Sequence, residues 1–173
     1  MRKMTNVVIV AHPDDELIFF GGLILNSDKT YVICLTGGDN ELRRNEFVSC
    51  CEKLGVTGFI FDAQDVKGSD LDTEKYTDNI LSILRSIKYD RVYTHCNSNW
   101  CYSKHHINVH DWCKKYIRRN LYVATPPKIG ITNKLDMSTF ISKVQALSCY
   151  SSQCTTIMEY ADNLVYERFV QIK

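Results

Sequence analysis

The first apolar run in the chain, Val7-Val8-Ile9-Val10-Ala11, is β-branched up to Ala11 and has no polar residue at alternate positions. That pattern predicts a strand buried on both faces, as in a parallel sheet. Residues 17–25 are apolar on nearly every side and predict a helix packed on the sheet, with Gly21-Gly22 allowing close approach to the strands. Tyr31-Val32-Ile33-Cys34-Leu35 predicts a second strand. Residues 41–54 carry Leu42, Phe47, Cys50, Cys51 and Leu54 at helical spacing and stop at Gly55. A third strand is expected at 58–61, then a polar loop over 62–72. Ile80, Leu81, Ile83, Leu84 and Ile87 mark a helix over 77–87, and a fourth strand follows at 91–94. Residues 121–124 read as a late strand, Pro126-Pro127 as a break, and 137–151 as a helix with Phe140, Val144 and Leu147 in register. Strand and helix alternate four times, which predicts an α/β fold with a doubly wound, Rossmann-like, mostly parallel sheet flanked by helices.

Charge changes the picture at the end of the first strand. His12, Asp14, Asp15 and Glu16 put one imidazole and three carboxylates within five residues, at the strand end where open α/β sheets bind ligands. An imidazole and a carboxylate suit a borderline metal such as zinc, and a second carboxylate could stay free to take a proton from water. An N-cap on a helix starting near Glu16 would account for one carboxylate, leaving the histidine and the other two without a reason. The second strand also ends in a polar loop, Thr36-Gly37-Gly38-Asp39-Asn40, at what should be the same edge. After the fourth strand come His95, His105, His106 and His110, four of the five histidines, the fifth being His12. His106 and His110, four apart, would share a helix face and could bind one metal. Histidines at a helix start can also simply solvate its end.

Composition adds boundaries. The 173 residues fit one domain. With 21 Lys and Arg against 20 Asp and Glu, the formal charge is +1, so nothing points to nucleic acid or an anionic membrane as partner. The apolar segment behind the basic start is too short for a signal peptide or a membrane span, and a cytoplasmic protein is expected. The eight cysteines then read as free thiols. Cys96, Cys101 and Cys113 could in principle hold a structural zinc, although no Cys-x-x-Cys pair occurs. The glycine motif of nucleotide-binding Rossmann modules is missing after the first strand.

Ala11-His12-Pro13-Asp14-Asp15-Glu16 with Phe20-Gly21-Gly22 resembles the signature of the PIG-L/LmbE-like family, zinc-dependent de-N-acetylases of N-acetylglucosamine-type substrates. A second block of that family, Thr-x-Gly, then Arg-x-x-Glu and a Leu-Gly helix end, is matched by Thr36, Gly38, Arg43, Glu46, Leu54 and Gly55, with Arg44 as a substitute for Arg43. The third block, Thr-His and then His-x-x-His-x-x-x-His, is matched by Thr94-His95, His106 and His110, but its first paired histidine falls on Ser103. Lys143, Ala146, Leu147, Tyr150, Ser152 and Gln153 are similar to the closing helix, and Glu167-Arg168-Phe169 to the terminal strand.

The resemblance implies one LmbE-like deacetylase domain over residues 1–173 that hydrolyses the amide of a small N-acetylated amino sugar, whether free, nucleotide-linked or part of a glycoconjugate. It implies Zn2+, with Fe2+ or Co2+ suited to the same ligands, held by His12, Asp15 and His106. Asp14 would be the base, Arg43 would reach the substrate, and Glu16 would support or cap. The family's assisting imidazole is absent at Ser103, leaving His105, His95 or a shifted loop for that task. The same departure keeps alive a catalytically weak or inactive sugar-binding module as the alternative. The segment between His110 and Lys143 is short, so pocket walls would be missing or come from a neighbouring subunit of a homo-oligomer.

Overall fold

The computed structural model describes residues 4–98, 103–126 and 133–173. In chain order its elements begin with β1 (Thr5–Val10), α1 (Asp15–Leu25), β2 (Lys29–Thr36), α2 (Glu41–Leu54) and β3 (Thr57–Ala63). There follow α3 (Thr77–Ser86), β4 (Arg91–Thr94), α4 (Lys104–Tyr116), β5 (Leu121–Ala124) and the short β6 (Asn133–Lys134). The chain closes with α5 (Met137–Leu147), α6 (Cys154–Glu159), α7 (Ala161–Val165), β7 (Tyr166–Glu167) and β8 (Phe169–Gln171).

The uninterrupted apolar run is explained by the position of β1, where Val7 to Ala11 are wholly buried. Val8 and Val10 pack into the cluster made with α1, α2 and α5, while Val7, Ile9 and Ala11 pack into the one made with α3 and α4. Both faces are covered, so neither parity of the strand can be polar. The main sheet has the order β3-β2-β1-β4-β5-β8, parallel throughout except for β8, which runs antiparallel to β5. It is a single α/β domain with a mostly parallel six-stranded sheet flanked by helices. From β1 the chain winds outward through β2 and β3, then returns to place β4 on the other side of β1. The loops leaving β1 and β4 therefore part in opposite directions and open a crevice at their carboxyl ends.

Three expectations about packing are corrected. Gly21-Gly22 makes room for α5 and the small β6–β7 ribbon, not for the main strands. A Cβ on Gly21 would lie 2.9 Å from the Lys143 stem, and one on Gly22 would lie 2.3 Å from Leu135. The buried side of α5 is Thr139, Lys143, Ala146 and Leu147, with Val144 on the exposed side and Phe140 only half-buried. Leu42 of α2 is likewise exposed. Lys143 defeats a hydrophobicity reading because its ammonium has its own buried partners: it donates to the carbonyls of Ile18 (3.0 Å) and Asn163 (2.6 Å) and to Glu167 (2.7 Å). The Glu167 carboxylate also accepts the N–H groups of Gly22 and Leu23, tying α5 and β7 to the middle of α1.

Among the described residues the cysteines are free, and no helix is long and apolar enough to cross a membrane. Cys101 lies outside the described residues.

Candidate metal centre

At the end of β1 the backbone turns sharply, and Asp14 adopts φ 111 and ψ −32. A non-glycine residue there costs on the order of 1–3 kcal/mol unless its surroundings hold it. Several groups do so. The Asp14 N–H donates to Glu16 Oε2 (3.0 Å), and the Asp14 carbonyl accepts the N–H groups of Leu17 and Ile18 (3.0 and 2.9 Å). The Asp14 side chain makes no capping bond, so the simple helix-cap reading fails and the carboxyl is left facing a cavity. Burial pushes that carboxyl well above the carboxylate range and Asp15 adds to the push, while Arg43 opposes it. Glu16, fully buried, accepts the Tyr150 hydroxyl. Burial raises Glu16 to about 7 against the pull of that hydrogen bond.

Arg43, rather than Arg44, lines the cavity. It donates to the Pro13 carbonyl, lies 3.4 Å from Asp14 Oδ2, and pairs with Glu46 at 3.2 Å. Glu46 is buried and also accepts the N–H and hydroxyl of Ser152 (2.8 and 2.7 Å). The Arg-x-x-Glu spacing thus builds an anchored guanidinium in place of a surface ion pair.

The densest part of the site surrounds one oxygen. Asp15 Oδ2 accepts the His12 backbone N–H at 2.8 Å and lies 3.1 Å from His12 Nδ1, 3.2 Å from His106 Nε2 and 3.4 Å from His95 Nε2. His106 Nε2 is 3.3 Å from His12 Nδ1. The three separations among His12, Asp15 and His106 can be compared with those of a tetrahedral ion, whose ligands at about 2.0–2.1 Å stand about 3.3–3.4 Å from one another. The donor set fits a divalent metal. Burial alone would raise Asp15, but His106, His95 and His12 around it hold its carboxyl well below the usual range. Burial disfavours charge on His12, yet Asp15, with Asp65 behind it, outweighs that and pushes the imidazole up to about 10.

His95 plays a different part. Its Nε2 accepts the Ala11 N–H at 3.1 Å, and burial together with the neighbouring His106 lowers it to about 4, so it stays neutral. Its ring stacks on that of His106, centroids 3.8 Å apart and planes within 1°, and so fixes the orientation of His106. His110 does not converge with His106 on a metal: its Nδ1 faces the His95 carbonyl at 2.9 Å, which ties α4 to the end of β4.

Ser103 is the N-cap of α4, its hydroxyl accepting the His105 N–H at 3.2 Å. That start places both His105 and His106 in the first turn, and both rings reach His12. His105 Nδ1 lies 3.0 Å from His12 Nε2 and 3.4 Å from Asp65 Oδ1. Asp65 carried no role in the sequence reading, because it sits in a polar loop. The one available signal was that this loop leaves the carboxyl end of a neighbouring strand. The cavity, about 680 Å³, is also lined by Asn40, Lys67, Gln153, Thr156 and Tyr160. Its far wall therefore comes from the chain's own closing segment around α6.

Comparison with known proteins gives the family and the fold. Residues 7–117 match the PIG-L family, described as GlcNAc-PI de-N-acetylase. An uncharacterised protein of Acanthamoeba polyphaga mimivirus is 26% identical over 73% of this chain and 60% of its own, so the chain spans about 60% of the length of the curated relative it matches. Among solved structures, the 4-carboxy-2-hydroxymuconate hydratase GalB of Pseudomonas putida superposes with a TM-score of 0.72 at 17% identity, covering 92% of this chain and 83% of that one. The N,N'-diacetylchitobiose deacetylase of Pyrococcus horikoshii superposes with a TM-score of 0.64 at 16% identity, covering 98% and 84%. At such identities these two likenesses speak for the fold alone.

Proposed function

Because the chain belongs to the PIG-L family of GlcNAc-PI de-N-acetylases, we propose that it is a metal-dependent hydrolase that removes the acetyl group from an N-acetylated amino sugar. The observation that carries this reading is the single Asp15 oxygen shared by His12 and His106, with the uncapped Asp14 carboxyl beside it at the cavity wall. His12, Asp15 and His106 would hold the ion, Zn2+ by preference, with Fe2+ and Co2+ suited to the same donors. Bound there, a divalent ion supplies Lewis acidity, lowering the pKa of water and polarising a carbonyl.

The chain's own groups do the rest. Asp14 takes the proton of the attacking water and hands it to the departing amine. Burial favours this, because a carboxylate made more basic is a better acceptor. Arg43, anchored by Glu46 and the Pro13 carbonyl, presents its remaining fork to sugar hydroxyls or a phosphate. Glu16 and Tyr150 hold Asp14 in its positive-φ backbone and thereby aim its carboxyl. Neutral His95 orients His106 from behind.

The deacetylase named among the structural neighbours supports this reading, and the hydratase shows that one fold serves more than one reaction. A catalytically weak or inactive sugar-binding module is the second reading, favoured by Ser103, whose hydroxyl is spent on capping α4. The deciding test incubates metal-loaded protein with a panel of N-acetylated amino sugars and assays free amine. Release from at least one sugar, abolished by a chelator, is expected. Binding of sugars without release would favour the second reading.

Two variants refine the assignment. His106→Ala should lower metal affinity at least about tenfold, measured by competition with a chromogenic chelator. Unchanged affinity would remove His106 from the ligand set. Ser103→His should raise turnover by up to about a hundredfold if the new imidazole stabilises the developing oxyanion, while losing about 1 kcal/mol of stability with the cap. Steady-state kinetics and a melting curve read the two effects separately. The stability loss without a gain in turnover would mean that this position does not face the reacting carbonyl.

A further inference from the structure

His12 offers its second ring nitrogen to a second group of donors. Its Nδ1 faces Asp15 and His106, whereas its Nε2 lies 3.0 Å from His105 Nδ1 and 3.6 Å from Asp65 Oδ1, and those two are 3.4 Å apart. All three donor atoms fall within 4.8 Å of one another, as do those of the inner group. Their separations bracket the same spacing of about 3.3–3.4 Å that ligands of one tetrahedral ion show. His105 is 3% exposed, and Ser103 fixes its place in the first turn of α4. Asp65 supplies the negative charge that a dication needs and stands at the cavity wall, its side chain 57% exposed.

We infer that the chain carries a second, outer site for a borderline divalent cation such as Zn2+, formed by His12 Nε2, His105 Nδ1 and Asp65, with His12 shared between the two ions. Two imidazoles and a carboxylate are the donor class that favours zinc over calcium or magnesium. The outer site fills second and more weakly. Repulsion between the two ions opposes it, and His12 must give up its remaining ring proton to the solvent to serve both as an imidazolate. Since His105 and Asp65 line the cavity, an ion there takes up space in front of His12, and excess metal slows any reaction carried out at the inner ion. The slowing rests on the function proposed above; the binding does not.

The test is equilibrium dialysis of the full chain against zinc buffered over a wide range of free concentrations, with bound metal counted by mass spectrometry and no substrate present. Two ions per chain are expected in two steps, the second at least tenfold weaker, with one ion left in both Asp65→Asn and His105→Ala. Asp65 is exposed enough that its variant should keep the fold even where His105→Ala does not. A single step of one ion, untouched by either variant, overturns the outer site and leaves the inner one standing. Two ions retained in both variants place the second ion elsewhere and also overturn it. If the wild type binds only one ion, and that ion is lost in His105→Ala but kept in His106→Ala, both this site and the inner ligand set are overturned. Because metal is counted without turnover, a chain that binds two ions and hydrolyses no sugar supports the outer site while refuting the deacetylase reading.

Discussion

Asp14→Asn is expected to bind one inner metal ion per chain with wild-type affinity and to lose hydrolysis by about 10²–10⁴-fold, the usual contribution of a positioned general acid–base group. The expectation follows from the division of labour at the end of β1. Asp15 has its Oδ2 among three imidazoles and a backbone N–H, whereas the Asp14 carboxylate pairs with Arg43 and faces the cavity. Asparagine is the replacement to use because it tolerates positive φ better than other side chains, and Asp14 sits at φ 111. A loss of activity in that variant therefore reports on proton transfer and not on a collapsed turn. Asp15→Ala should behave in the opposite order, losing metal first and activity with it. An empty inner site in Asp14→Asn would make Asp14 a ligand and reverse the two roles.

Lys143→Met should destabilise the fold by about 3–5 kcal/mol, the range for breaking a buried pair by removing one partner. For a chain of this length that is a fall in melting temperature of roughly 6–20 °C. The residue is wholly buried, and burial lowers its ammonium pKa although Glu167 opposes the shift. Without the ammonium, Glu167 would keep its bonds to Gly22 and Leu23 but lose its counter-charge, and the carbonyls of Ile18 and Asn163 would lose their donor. The double variant Lys143→Met with Glu167→Gln should regain part of the loss, since no uncompensated charge is left inside. Thermal unfolding followed by circular dichroism checks both. A single variant that melts with the wild type would mean that the pair contributes nothing net.

Much of the architecture was legible because it rests on periodicity. The apolar run of β1, the apolar ridge of α3 and the glycine stop after α2 each reflect a local rule that tertiary contacts did not override. The failures fall where a polar group has a buried partner that lies far away in sequence. Nothing local announces that Lys143 faces inward, because Glu167 is 24 residues on and the Ile18 carbonyl 125 residues back. Val144 was placed on the wrong side of α5 for the same reason, since the helix was read by its apolar residues alone. In the site, the inner donor set came from a family pattern together with charge clustered at a strand end. Asp65 stayed hidden because the fold that sets β3 next to β2 and β1, and so brings its loop to His12, is not a property of the loop. His110 was misjudged because i,i+4 spacing gives a shared helix face without saying what that face meets, here the His95 carbonyl.

The central claim, that an ion at His12, Asp15 and His106 makes this chain an amino-sugar deacetylase, is tested most directly by adding zinc back to chelated protein in stepwise equivalents. At each step acetate released from an N-acetylated amino sugar is measured against metal bound per chain. Activity is predicted to start from nothing and rise in proportion to bound metal up to the first equivalent, with His106→Ala showing no such rise. Acetate release at full rate from metal-free protein would contradict the claim, as would one ion bound per chain with no release from any sugar offered.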